Sequence, residues 1–107
     1  MSEPRKIGRL DDFPIGEGVV VESDLTGVDS TIAVFRVDDA EIYAIDDTCT
    51  HEDASLAEGW VDDCEVECPL HSAAFCLKTG EALSLPATTA VRTYTVEIRG
   101  EDVWLIP

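Results

Sequence analysis

Two short pairs of metal-ligand residues, Cys49-Thr50-His51 and Cys68-Pro69-Leu70-His71, constrain this chain more than any other feature. They contain both of its histidines and two of its four cysteines, with residues 52–67 between them. A thiolate and an imidazole two or three positions apart can be aimed by one loop at one metal ion, or at the two metals of one cluster. A fold that uses all four donors must hold the bases of two loops side by side. Three readings of the pattern compete: core cysteines with ordinary surface histidines, a tetrahedral zinc site, and a two-iron, two-sulfur centre. Zinc modules usually pair like with like along the chain. Mixing Cys and His within each loop suits a diiron centre in which two cysteines hold one iron and two histidines the other.

The framework reads as all-β. Apolar residues nowhere recur at helical spacing for more than about two turns, whereas short β-rich runs separated by turn residues dominate. Strands are predicted at Gly18–Glu22, Thr31–Val37, Glu41–Ile45, Glu65–Cys68, Ala74–Leu77, Val91–Arg99 and Val103–Ile106. Asp38-Asp39-Ala40 and Arg99-Gly100-Glu101-Asp102 predict antiparallel hairpins, with Gly100 free to take a positive φ. In the last long run Tyr94, Val96 and Ile98 alternate with Thr93, Thr95 and Glu97, the pattern of a strand with one packed face. Cys64, Val66 and Cys68 alternate in the same way with acidic neighbours, which predicts a buried thiol at Cys64. A length of 107 residues fits one domain over 1–107 with one modest core, and no repeat, low-complexity tract or linker interrupts it.

Charge narrows the function. With 23 acidic against 7 basic side chains the formal net charge is -16, which argues against nucleic acid or an anionic membrane as partner and favours a basic one. Between Arg36 and Lys78 there is no Lys or Arg, and this acidic stretch holds both ligand pairs. No run approaches the roughly 18 apolar residues that span a bilayer, and the N-terminal residues lack the apolar core of a signal peptide, so the expected location is cytoplasmic. There is no Gly-x-Gly-x-x-Gly dinucleotide fingerprint. A mononuclear oxygen-activating iron typically needs two histidines and a carboxylate, and with both histidines used by a cluster none is left for it.

Cys-x-His followed about sixteen residues later by Cys-Pro-x-His resembles the signature of Rieske iron-sulfur proteins. Phe75, Thr79-Gly80 and the proline loop Ser84-Leu85-Pro86-Ala87 extend the likeness, the last resembling a third loop that covers the cluster. Over essentially the whole chain the pattern is similar to the ferredoxin components of bacterial aromatic-ring-hydroxylating dioxygenases. The resemblance implies a Rieske-type antiparallel β-sandwich with a small cluster-binding subdomain at about residues 46–86. It implies one [2Fe-2S] cluster per chain, held by Cys49, His51, Cys68 and His71. Where Rieske subunits of cytochrome bc complexes carry a disulfide between the ligand loops, this chain has Ala54 and Leu70, so that bridge is not formed. Ser72 stands where Gly is common, and is still small.

The resemblance further implies a one-electron carrier rather than an enzyme. It would take electrons from a flavoprotein NAD(P)H reductase and pass them to a terminal Rieske oxygenase, with His51 and His71 as the exit and Thr50, Glu52, Leu70 and Ser72 at the docking rim. The crowd of carboxylates would lower its reduction potential, because reduction adds a negative charge to a centre that is neutral when oxidised. The small subunit of an assimilatory nitrite reductase, whose Rieske-like domain has a similar length, is the second reading, and a zinc-stabilised interaction module is a third from another class. Pro69 and Pro86 are expected to stiffen the loops. Cys64 and Cys76 are read as small buried hydrophobes rather than a disulfide, Trp60 and Trp104 as core or rim packing, and Phe75 as packing beneath the cluster loop. Self-repulsion at this charge favours a monomer.

Overall fold

The computed structural model describes residues 4–22, 31–38, 41–48, 54–62, 64–69, 73–83 and 89–106. Among these residues nine strands run in order: β1 Arg5–Arg9, β2 Gly18–Val21, β3 Ile32–Arg36, β4 Ile42–Asp46, β5 Trp60–Asp62, β6 Glu65–Glu67, β7 Ala74–Cys76, β8 Thr93–Arg99 and β9 Asp102–Ile106. Short 3-10 turns occupy Leu10–Asp12 and Leu56–Glu58. The strands form a six-stranded sheet, β1-β9-β8-β4-β3-β2, and a three-stranded sheet, β5-β6-β7. All these neighbours pair antiparallel. The all-β architecture expected from the sequence is the one observed.

Alternation explains how the two sheets share the molecule. On β3, Ile32 and Val34 point into one buried cluster with Ile7, Phe13, Val21, Ile42, Ala44, Val103 and Leu105. Ala33 and Phe35, on the opposite face, join a second cluster with Ile45, Leu56, Val66, Phe75 and Leu77. The first cluster contains residues from both edge strands, β1 and β2, so the large sheet curls around it. The second lies between the outside of that curl and the small sheet. Strands β3 and β4 are therefore apolar on both faces, which is why their burial is nearly continuous rather than alternating.

Both predicted hairpins are present. β3 pairs β4 from Ile32↔Asp46 to Arg36↔Ile42, and β8 pairs β9 through a turn in which Gly100 has φ +63. Tyr94, Val96 and Ile98 pack on the first cluster as their alternation predicts. β8 begins at Thr93 rather than Val91, because Val91 and Arg92 bond instead to Gly80 and Asp46. Two strands were not predicted. β1 has a single apolar residue other than glycine, Ile7, and is held by its ladder to β9 and the Lys6–Asp102 ion pair at 3.2 Å. β5, three residues long, is fixed by its pairing to β6.

Candidate metal centre

Of the four candidate ligands, Cys68 lies among the described residues; Cys49, His51 and His71 lie outside them. So do Thr50, Glu52, Leu70, Ser72 and the loop 84–88 with Pro86. The structure does describe the base of each candidate loop.

The first base is a clamp around residues 49–53. Thr48 and Ser55 form an antiparallel bridge, and Leu56 donates its N–H to the Asp47 carbonyl at 2.7 Å. The Asp47 carboxylate, buried at 8% exposure, accepts from the Ser55 hydroxyl at 2.7 Å and from the Ala57 N–H at 3.1 Å. A buried carboxylate is tolerated because both donors are aimed at it. Asp47 is thus a staple between the two ends of the first loop, and its N–H is itself anchored on Thr31.

The second base is tighter. Cys68 donates its N–H to the Ala73 carbonyl at 2.6 Å, closing the loop 69–72. Cys68 and Ala73 are both fully buried in the cluster beneath the small sheet, and Ala54 at the end of the first loop packs against the same cluster. The described bases of the two loops are thus rooted on one apolar core. Phe75 lies in that core with 0% exposure.

The third loop is rooted next to the other two. Leu83 donates to the Ala74 carbonyl at 2.8 Å, and Val91 donates to the Gly80 carbonyl at 2.9 Å. Gly80 has φ +78, and a Cβ there would lie 2.1 Å from the Val91 oxygen, so no larger residue fits this turn. Beyond Val91, Arg92 pairs with Asp46 at 2.9 Å and Tyr94 donates to Asp46 at 2.5 Å. Burial and then this bond to a carboxylate raise the Tyr94 phenol to about 12.

A close approach that sequence reasoning missed lies between the small strands. At Gly59 a Cβ would stand 2.1 Å from the Glu67 carbonyl oxygen, immediately before Cys68. Glycine there lets the start of β5 touch the backbone that leads to the candidate ligand Cys68. Asp47 was also missed; in the sequence it is one acid among many, and its pairing with Ser55 becomes visible only in three dimensions.

The expectation of buried thiols at Cys64 and Cys76 is corrected. Both are partly exposed. Cys64 falls in the turn before β6, where its thiol donates to Glu41 at 3.8 Å. Cys76 points to the outer face of the small sheet, because its partner across the ladder is Glu65 while the neighbouring Val66↔Phe75 pair faces inward. A hydrogen bond from the Thr79 side chain holds the Cys76 thiol below its usual pKa, against the opposing effect of burial. Trp60 is 64% exposed and is not core. Trp104 packs on the large sheet, with the Arg99 guanidinium 5.1 Å from its ring centroid.

Residues 4–95 match the family described as the Rieske [2Fe-2S] domain. Over 95 residues the chain is 47% identical to the 3-phenylpropionate/cinnamic acid dioxygenase ferredoxin subunit of Shigella boydii serotype 4 (strain Sb227), covering 88% of this chain and 84% of that one. The ferredoxin of carbazole 1,9a-dioxygenase from Nocardioides aromaticivorans IC177 superposes with a TM-score of 0.87 at 32% identity, covering 99% of each chain. A chain in the complex of reduced oxygenase and oxidized ferredoxin in carbazole 1,9a-dioxygenase superposes with a TM-score of 0.84 at 36% identity, over 95% of this chain and 91% of that one.

Proposed function

The chain belongs to the Rieske [2Fe-2S] domain family, and on that footing we propose that it is the one-electron carrier of an aromatic-ring-hydroxylating dioxygenase system. In this reading residues 1–107 are a single Rieske domain, and Cys49 and Cys68 hold one iron of the cluster while His51 and His71 hold the other. The bound cluster supplies reversible one-electron chemistry. The chain's own residues supply the seat: Asp47 and Ser55 pin the ends of the first loop, the Cys68–Ala73 bond closes the second, and Phe75 with Leu56 belongs to the apolar core that Ala54, Cys68 and Ala73 meet. Burial of Cys68 suits a thiolate held by metal away from water.

The observation that carries the proposal is the shared root of the two loops. Ala54, Cys68 and Ala73 meet one apolar cluster, so the Cys-His pairs at 49–51 and 68–71 start from neighbouring points. A mixed Cys/His set in each loop fits a diiron centre better than zinc. The proposed partners are a flavoprotein NAD(P)H reductase as donor and a terminal Rieske oxygenase as acceptor, with the protein a monomer in the cytoplasm. Among the described residues no helix is long and apolar enough to cross a membrane.

The test is metal and sulfide analysis of freshly isolated protein, followed by reduction. Two irons and two sulfides per chain, with a rhombic paramagnetic resonance signal after dithionite, are expected; one zinc and a colourless protein would overturn the assignment. His51→Ala and His71→Ala are each expected to abolish the signal. Failure of the iron-loaded protein to support product formation with a dioxygenase reductase and oxygenase would remove the proposed place in that system while leaving the cluster intact.

A further inference from the structure

The outer face of the small sheet combines exposed apolar and acidic side chains. Across the ladder, Trp60 faces Glu67 and Glu67 faces Ala74; Leu83, bonded to the Ala74 carbonyl, extends the same row. Side chains directly opposite in antiparallel strands share a face. The next row, Val61, Val66, Phe75 and Ala82, turns inward onto the core, so the Trp60 row must turn outward. It ends in two exposed apolar side chains, Trp60 at 64% and Leu83 at 44%. Two positions further along, the same outward face carries Asp62 opposite Glu65, Glu65 opposite Cys76, and Glu81, whose carbonyl accepts from the Cys76 N–H at 2.9 Å. Asp62, Glu65 and Glu81 are exposed and enter no ion pair among the described residues. Lys78 lies in the adjoining turn.

We infer that this face, with Trp60 and Leu83 as apolar anchors beside Asp62, Glu65 and Glu81, is a docking surface for a redox protein that presents basic side chains around an apolar socket. The inference rests on the carrier reading and adds a location to it. Charge complementarity selects the occupant. A second copy of a chain with net charge -16 is repelled, as is an anionic membrane, whereas a basic protein gains steering from the carboxylates and contact area from the indole. The position is suited to electron transfer. The row from Trp60 to Leu83 includes Glu67 and Ala74, which are one residue away from Cys68 and Ala73, respectively, at the root of the second loop. A partner seated there lies against the chain that leads to the proposed thiolate ligand.

The probe is oxidised cytochrome c, a basic redox protein, mixed in stopped flow with dithionite-reduced holoprotein under second-order conditions. Asp62→Asn/Glu65→Gln/Glu81→Gln is expected to slow the reaction about tenfold at low ionic strength and to flatten its salt dependence. The control Asp11→Asn/Glu17→Gln/Glu22→Gln removes three exposed carboxylates outside the small sheet and is expected to change the rate less than about twofold. Trp60→Ala is expected to slow transfer severalfold at low and high salt alike, since its contribution is contact rather than charge. Midpoint potentials measured on each variant separate docking from driving force. Equal effects of the two triple variants, or a rate loss fully accounted for by potential, overturns the docking face and leaves the carrier reading standing. Failure of the parent holoprotein to reduce cytochrome c at all overturns both.

Discussion

The large and small sheets solve the problem of stability in opposite ways. Strands of the large sheet run to seven residues and enclose a core of their own. The small sheet consists of three strands of three residues each, too little to stand alone in water. Its apolar row is buried only because Ala33, Phe35 and Ile45 lie against it from the outside of the large sheet. The part of the molecule proposed to hold the cluster thus borrows its core, and the two regions should differ in what a cavity does to them. Phe75→Ala and Leu105→Ala both empty fully buried sites, at about 3–5 and 2–5 kcal/mol. Below the melting temperature Phe75→Ala is expected to lose iron, because the floor under both loops is gone, whereas Leu105→Ala should keep it. Iron content against fraction folded, from metal analysis and circular dichroism on the same samples, makes the comparison. Iron loss from Leu105→Ala equal to that from Phe75→Ala would show that the two cores are one.

Glycines sharpen the same contrast. At Gly59 a Cβ collides with the Glu67 backbone, while at Gly100 nothing lies within 4 Å and the cost of a side chain is the positive φ alone. Gly59→Ala should therefore destabilise by about 3 kcal/mol or more, with displacement of Cys68. Gly100→Ala should cost about 1–2 kcal/mol with the visible spectrum unchanged. Urea melts followed by both circular dichroism and cluster absorbance are the measurement. Coincident loss of both signals at parental stability in Gly59→Ala would mean that β5 can move aside without disturbing the ligand.

The division between the sheets also marks what could be read from the sequence. Alternation revealed β8 and the apolar runs revealed β3 and β4, because long strands record their burial in their own residues. The Cys-His pairs stand out in the sequence as candidate donors. Their framework does not: β5 is too short to carry a period, and β1 owes its strand state to β9 rather than to Arg5, Lys6 or Arg9. Cys64 was read as inward because the alternation of β6 was extended past Glu65, but a turn at Cys64 ends the strand and redirects the side chain toward Glu41. Asp47 and Gly59 act through partners eight residues away in the chain. Such pairings leave no local pattern.

Asp47 is the staple most open to test on the small-sheet side. Asp47→Ala strands the Ser55 hydroxyl and the Ala57 N–H in a nearly dry site, at about 1–3 kcal/mol. Asp47→Asn keeps an acceptor and should recover most of that stability. If the staple positions the first loop, Asp47→Ala should also release iron to a chelator faster than the parent, with Asp47→Asn in between. Unchanged release from Asp47→Ala at lowered stability would reduce the residue to a purely structural role in the large sheet's margin.

The smallest effect is expected at the seam where β8 meets the end of β4. The Tyr94 phenol donates to Asp46 at 2.5 Å, and its pKa rises from 10.0 to about 12, first through burial and then through that carboxylate. A folded-state pKa above the unfolded one gives stability that is complete below about pH 10 and is lost as pH climbs toward 12. Tyr43, also raised by burial and by its bond to Glu41, acts in the same direction. Thermal midpoints between pH 8 and 12 should therefore fall with pH, and Tyr94→Phe should make that fall shallower at a cost of about 1 kcal/mol near neutrality. Because Asp46 directly precedes the Asp47 staple, the pH dependence should also reach the first loop. Iron release from the parent should accelerate through the same alkaline window, and Tyr94→Phe should flatten that acceleration. A pH profile identical in parent and variant would place the alkaline transition elsewhere and uncouple the seam from the metal-holding loops.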